Sequence, residues 1–217
     1  MINGEKVGGV AQDGHVLQTR PAVIAVEPHT GSAAVIAVGP HPGGGVDTVA
    51  LAAVPTPVGD VLVAVTESGV AATHFRDSPA VRSRIAARIG LAVVEDPVRT
   101  ELVRTELAAY FTGSLREFTA PLDWRLMSAA QRLVLGRLYE TVHFGQVVTY
   151  GELAERCGSS IPARGIGSIM GSNPIPIIVP CHRVVAGNGL GGFSGGDGVE
   201  SKQALLALEG QLPAGLW

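Results

Sequence analysis

From Val49 onward the chain alternates short apolar blocks with turn residues, and the period of that alternation predicts its elements. VALAAV, the break PTPVG and then DVLVAVTESGVAATHF read as two strands across a turn and a third after Glu67-Ser68-Gly69, the meander of an antiparallel sheet. The period then lengthens. Between Ser78 and Ile89, Val81, Ile85 and Ile89 share one stripe while Arg82, Arg84 and Arg88 lie mostly off it, which predicts a helix. A second helix runs from about Pro97 to Phe111 and stops at Gly113. FTAPLDW at 118–124 reads as a linker. Beyond it Ser128 opens a helix carrying Ala130, Leu133, Val134, Leu138 and Val142, ending near Gly145. A short strand QVVTY follows, then a helix GELAERC, a break at Gly158-Ser159, and a helix from about Ser160 to Met170. Two short helices across a tight break make a helix-turn-helix candidate, although packed helix pairs are common. NPIPIIVP at 173–180 predicts an apolar strand bracketed by prolines that presents Cys181 at its end. Residues 1–48 are different: AVIAV and AAVIAVG are strand-like, but GGV, PHTG and PHPGGG around them read as loop, so this segment is a hairpin or a loose arm with no assigned role.

With 217 residues and 46% hydrophobic content, the chain can fill one ordinary core or two small ones, which excludes disorder and a disulfide scaffold. No apolar run reaches the roughly 18 residues a membrane helix needs. The start, MINGEKVGGVAQDGHV, lacks an apolar signal core, so the expectation is a soluble cytoplasmic protein. Two cysteines, Cys157 and Cys181, with scattered histidines predict free thiols and no metal. The net charge of −3 is unevenly spread: residues 1–124 carry −4, residues 125–183 carry +3 and residues 184–217 carry −2. A local excess this small fits a solvated face as well as a phosphate-binding one.

Candidate chemistry gathers in the second half. The helix reading IPARGIGSIMGSN places Gly165, Gly167 and Gly171 where alanine is better by roughly 1 kcal/mol each. Glycines there allow close packing of another segment or close approach of a ligand. Arg164 sits in the first turn, where a positive charge opposes the helix dipole, and reads as aimed at an anion or a base. Cys181 stands next to His182. A free thiol ionises near pH 8.5, so a nucleophilic cysteine needs a proton acceptor close by. Adjacent residues on a strand point to opposite faces, so activation by His182 requires a bend or an intervening water. The plainer reading is a buried cysteine beside a surface histidine. Glu209, in the last turn of QALLALEG before Gly210, opposes that helix's dipole and so wants a cationic or hydrogen-bonding partner, unless it is simply a solvated helix end.

PCHRVV, preceded by GSNP and followed by FSGG and LLALEG, resembles the O6-alkylguanine-DNA alkyltransferases, also called methylated-DNA–protein-cysteine methyltransferases. The similarity is strongest from Phe144 to Gly210, extends more weakly through residues 55–75, and leaves residues 1–48 outside. The resemblance implies an α+β fold, with an N-terminal antiparallel sheet and helices of ribonuclease H-like form followed by a helical winged-helix-like DNA-binding domain. Its divisions are an extension over 1–48, a first domain over 49–120 and a second over 121–217.

The resemblance also implies roles. Cys181 matches the acceptor that takes the alkyl group from guanine O6 in one irreversible displacement, with O4-alkylthymine as a second substrate. His182 matches the base that activates it through a water, and Glu209 the carboxylate that orients the histidine. Tyr150 matches the donor to guanine N3, and Asn173 the side chain that ties the turn between the two helices. Arg164 matches the residue that enters the duplex in place of the turned-out nucleotide, with Gly165 and Ser160 at the DNA beside it. Val184, Phe193 and Ser194 line the base pocket; Lys202 matches a lysine near it, although a solvated position is the plainer expectation. The partner implied is double-stranded DNA containing alkylated bases, with a monomeric protein, no membrane, no metal and no cofactor. The chain departs from the family pattern at Phe193, where tyrosine is usual, at Gly171 and Ser172, where a basic residue and a glycine are common, and in AAQRLVL at 129–135, which replaces larger aromatics. The competing readings are a lesion sensor or helix-turn-helix regulator that keeps the pocket without transfer, and a thiol hydrolase built on a Cys-His pair.

Overall fold

The structure, a computed structural model, describes residues 47–158 and 161–212. The segment read as a hairpin or arm lies outside the described residues up to position 46, as does Ser160. The described residues all belong to one compact unit, Gly44–Trp217.

Strands β1 (Thr48–Thr56), β2 (Gly59–Thr66) and β3 (Gly69–His74) form the expected meander, β1 pairing antiparallel with β2 and β2 with β3. Alternation along β2 feeds two cores. Val61, Val63 and Val65 pack with Val103, Leu107 and Tyr110 of helix α2 (Pro97–Phe111), while Leu62 and Ala64 pack with Val81, Ile85 and Ile89 of helix α1 (Pro79–Ile89). Both faces of the sheet are therefore covered by helix, as the run of apolar residues in DVLVAV demands. The sheet is not purely antiparallel. A fourth strand, β4 (Ala92–Val94), pairs parallel with β1 in the order β3-β2-β1-β4. Three residues carry no readable period; α1 returns the chain to the far edge, and the parallel pairing follows from that crossover.

The segment expected to be a linker is fastened to β3. Val70 N donates to Pro121 O at 2.8 Å, Asp123 N to Val70 O at 2.9 Å, and Thr66 Oγ1 to Asp123 Oδ2 at 2.6 Å. Gly69 permits this approach: at φ +131° it occupies backbone space that L-residues avoid, and a Cβ there would stand 2.2 Å from Pro121 O.

The second half is helical. Helix α3 (Ala129–Thr141) starts at a capping box in which Ser128 and Gln131 satisfy each other's backbone N–H. It buries Val134, Leu135 and Leu138, whereas Leu133 is exposed, so the apolar stripe is offset from the expected one. Strand β5 (Val148–Thr149) pairs parallel with β6 (Val184–Val185). Tyr150 opens helix α4 (Tyr150–Arg156) rather than closing a strand, because Thr149 and Glu152 form a second capping box. Helices α5 (Ala163–Gly171) and α6 (Val199–Leu208) follow.

The apolar strand expected over 174–180 does not form. Pro174, Pro176 and Pro180 supply no N–H to a ladder, and the segment runs as turns into a 3-10 turn, Cys181–Arg183. Among the described residues no helix is long and apolar enough to cross a membrane, and no cluster of three or more potential metal-binding side chains occurs.

Candidate active site

The loop between α5 and Cys181 is shaped by Asn173. Its Oδ1 accepts from Ile175 N at 3.0 Å and its Nδ2 donates to Val179 O at 2.8 Å, while Val179 N donates to Ile175 O at 2.9 Å. This Asx turn lies after α5, not between α4 and α5 as expected, and it delivers Cys181 to the wall of two cavities. One, of about 370 Å³, is lined by Tyr150, Gly167, Met170, Phe193 and Ser194 together with the cysteine. The other, of about 850 Å³, reaches from Cys181 past Phe193 to Phe75 and Thr73 on the sheet. Cys181 is 5% exposed.

Because Cys181 and His182 occupy a 3-10 turn, the opposite-face argument for a strand does not apply. His182 is fully buried, which removes the surface-histidine reading. Its Nε2 lies 2.9 Å from Glu209 Oε1. Glu209 is the hub of the site. Arg183 grips it with both Nε and Nη2 at 2.9 Å, Tyr110 Oη donates to Oε1 at 2.7 Å, and Gly145 N approaches Oε2 at 3.4 Å. Burial works against the carboxylate's charge, but the hydrogen bonds and charges of His182 and Arg183 overcome it and hold the group at about 2. An ionised Glu209 can only accept, so the proton of His182 resides on Nε2 and the lone pair on Nδ1. Nδ1 is buried and has no hydrogen-bond partner among the described residues. Burial also pushes the imidazolium form down, leaving a neutral imidazole with a free acceptor.

Burial raises the Cys181 thiol, while the Asn173 amide, the Lys202 charge and nearby backbone N–H groups pull the other way. The resting sulfur is a neutral thiol in surroundings that partly favour its anion. Lys202 is buried rather than solvated. Its Nζ donates to Val184 O at 2.6 Å and Leu190 O at 2.5 Å, with Gly192 O at 3.5 Å, so one ammonium ties β6 to the loop forming the far wall of the smaller cavity. Desolvation lowers it to about 8, with Cys181 opposing.

A family model described as "6-O-methylguanine DNA methyltransferase, DNA binding domain" matches residues 130–211. A relative in Methanosarcina acetivorans, named methylated-DNA–protein-cysteine methyltransferase, is 33% identical over 156 residues, which is 71% of this chain and 94% of the relative. The chain belongs to this methyltransferase family. A methyltransferase of the same name in Mycolicibacterium paratuberculosis is 48% identical over 105 residues, 48% of this chain, and the match spans 61% of that relative's length. Among solved structures, the Mycobacterium tuberculosis O6-methylguanine methyltransferase superposes with a TM-score of 0.61 at 33% identity, covering 77% of this chain and 96% of that one. A second structure of the mycobacterial protein, in complex with DNA, matches with a TM-score of 0.61 at 31% identity over 74% of this chain and 93% of its own.

The methyltransferase resemblance directs attention to a set of residues, most of which the fold brings together. Cys181, Tyr150, Phe193 and Ser194 share the smaller cavity; Asn173, His182, Glu209 and Lys202 stand behind it. Val184 lines neither cavity, and its carbonyl is taken by Lys202. Tyr150 Oη rests 3.5 Å from Gly192 O, and burial, then the nearby Cys181, push its phenol pKa up and keep the hydroxyl protonated. Phe193, without the usual tyrosine hydroxyl, packs edge-on against Phe75 at 5.8 Å. Arg164 is exposed in the first turn of α5, which has no side-chain cap. Gly165 is explained by packing: a Cβ there would come within 2.9 Å of the Ile161 side chain, whereas Gly167 and Gly171 leave ordinary contact distances of 3.9 Å. Cys157 is buried at the end of α4.

Sequence reasoning missed Arg183, Tyr110 and Thr73. Arg183 had a signal: an arginine within an apolar stretch needs an acid, and Glu209, assigned only to His182, was expected to want a cationic partner. Tyr110 and Thr73 belong to the sheet-bearing half and are indistinguishable there from ordinary core positions.

Proposed function

We propose that the chain repairs double-stranded DNA by moving the alkyl group of O6-alkylguanine, and of O4-alkylthymine, onto Cys181. The observation that carries this reading is a buried thiol at a cavity wall, next in sequence to a buried imidazole whose Nε2 is committed to Glu209 and whose Nδ1 is free to accept. The thiol proton passes through a water to His182 Nδ1. The sulfur lone pair attacks the alkyl carbon as the carbon–oxygen bond breaks, and that bond's electrons leave with guanine O6. The base then takes up a proton at N1, so a thioether and an ordinary guanine result. Tyr150 Oη supplies a hydrogen bond to N3 as charge builds on the leaving base. The thioether carbon–sulfur bond is a stable product, so each molecule acts once.

A base inside a duplex cannot reach Cys181, so the nucleotide is turned out at a cost of a few kcal/mol, smaller for a poorly paired lesion. Arg164, exposed at the start of α5, fills the gap it leaves, and the N-termini of α3 and α5 with the basic middle of the chain meet phosphates. We read residues 49–120 as a ribonuclease H-like domain, supported by an antiparallel meander with a parallel strand beside β1, and 121–217 as a winged-helix-like domain, working as a monomer in the cytoplasm. Intact-mass measurement tests the reaction: after mixing with duplex DNA bearing O6-methylguanine, the wild type gains one methyl and Cys181→Ala does not. Binding without a mass gain, or repeated release of product, overturns the reading.

A further inference from the structure

We infer that Thr73 of β3 is a positioning residue for Cys181, holding the cysteine-bearing loop in a conformation it would not otherwise keep; this rests on the transfer reading above for its catalytic meaning. β3 is an edge strand, and its outer side is occupied by loop rather than by another strand. Thr73 N donates to Pro174 O at 2.9 Å and Thr73 Oγ1 donates to Pro176 O at 2.6 Å. A single buried residue thus grips the loop on both sides of Ile175. Pro174 and Pro176 have no N–H, so their carbonyls are the only backbone groups through which those two positions can be fixed.

The grip matters because of the next residue. Ile177 has φ +76° and is 1% exposed. A β-branched side chain in the left-handed region is a conformation that persists only where the surroundings over-determine it. Asn173 closes the loop from within, and Thr73 supplies the restraint from the sheet. Cys181 follows four residues later, through Val179, whose carbonyl accepts from Cys181 N at 2.9 Å. Released from Thr73, the loop relaxes at Ile177 and carries the sulfur with it. Displacements of about 1 Å at a reacting atom can cost about 100-fold in rate.

The test compares wild type, Thr73→Val, which keeps the shape and the backbone donor but lacks the hydroxyl, and Thr73→Ser, which restores it. Three quantities are read: the single-turnover rate on duplex DNA bearing O6-methylguanine, the affinity for that duplex with Cys181→Ala in each background, and the iodoacetamide labelling rate of Cys181, resolved from Cys157 by peptide mass spectrometry. Thr73→Val is expected to transfer roughly tenfold more slowly, with duplex affinity within twofold, and to label Cys181 several-fold faster. Thr73→Ser is expected to recover both. Labelling and transfer within twofold of wild type in Thr73→Val, or a Thr73→Ser variant as impaired as Thr73→Val, overturns the proposal. If the wild type itself transfers nothing, the repair reading falls, and the labelling contrast still decides whether Thr73 holds the thiol.

Discussion

Replacing Glu209 by glutamine removes one charge and leaves the side-chain shape. In the folded protein the carboxylate receives three donors on Oε1, from Tyr110, His182 and Arg183, and two on Oε2, from Arg183 and Gly145. An amide has one acceptor oxygen. With that oxygen in place of Oε1, its NH2 faces the N–H groups of Arg183 and Gly145, donor against donor, and Arg183 becomes a buried cation without a counter-charge. Removing one partner of a buried pair costs about 3 to 5 kcal/mol. The proton linkage gives a similar scale: a carboxyl held at about 2 against an ordinary 4.5 represents about 3 kcal/mol, at 1.36 kcal/mol per unit. The sign follows from the depressed folded value: this stability is fully present above about pH 4.5 and is lost as pH falls towards 2. Urea unfolding at pH 7 should therefore show Glu209→Gln less stable by about 3 to 5 kcal/mol, and the gap should narrow as pH is lowered through that window, because only the wild type has this stability to lose. A gap below 1 kcal/mol at pH 7, or one that stays constant down to pH 2.5, refutes the assignment of Glu209 as an ionised hub.

Three other outcomes follow from the same geometry. His182→Ala should slow transfer about 100- to 10,000-fold while duplex affinity stays within a few-fold, as measured by single-turnover kinetics and fluorescence anisotropy. Gly69→Ala combines a left-handed backbone position with a Cβ 2.2 Å from Pro121 O, so it should destabilise by about 3 kcal/mol or more, read as a lowered unfolding midpoint with the far-UV spectrum retained at low temperature. Arg164→Ala, at an exposed position in α5, should leave the unfolding midpoint within 1 °C or so of wild type and reduce transfer from a paired lesion more than from the free alkylated base, compared in parallel rate assays.

Most of the elements were legible along the chain because their signals are local. The meander rests on alternation around glycine turns, and α1, α2, α3 and α4 rest on stripes and caps within a few residues of each start. Where the reading and the structure part, the deciding interaction is non-local or too short to have a period. β4 has three residues, and its pairing with β1 depends on where α1 sets it down. The loop at 174–180 is apolar enough to pass for a buried strand, yet its three prolines leave too few N–H groups to build one, a point visible in the sequence once ladder donors are counted. Leu133 and Leu135 exchanged places because helix rotation is set by what α3 packs against.

The candidate groups were set by covalent sequence: a cysteine joined to a histidine, with an acid at the end of the last helix, is written in the chain and needs no fold to be seen. The environment that makes those groups chemically useful was not. That His182 is buried and protonated on Nε2, that Arg183 and Tyr110 share the carboxylate of Glu209, that Lys202 spends its charge on carbonyls, and that Thr73 reaches across from the sheet are consequences of segments up to 103 residues apart meeting in a low-dielectric interior. There each polar group must find a partner. Local pattern sets which groups are available; only packing decides which of them pair, and so which imidazole nitrogen is left without a partner among the described residues.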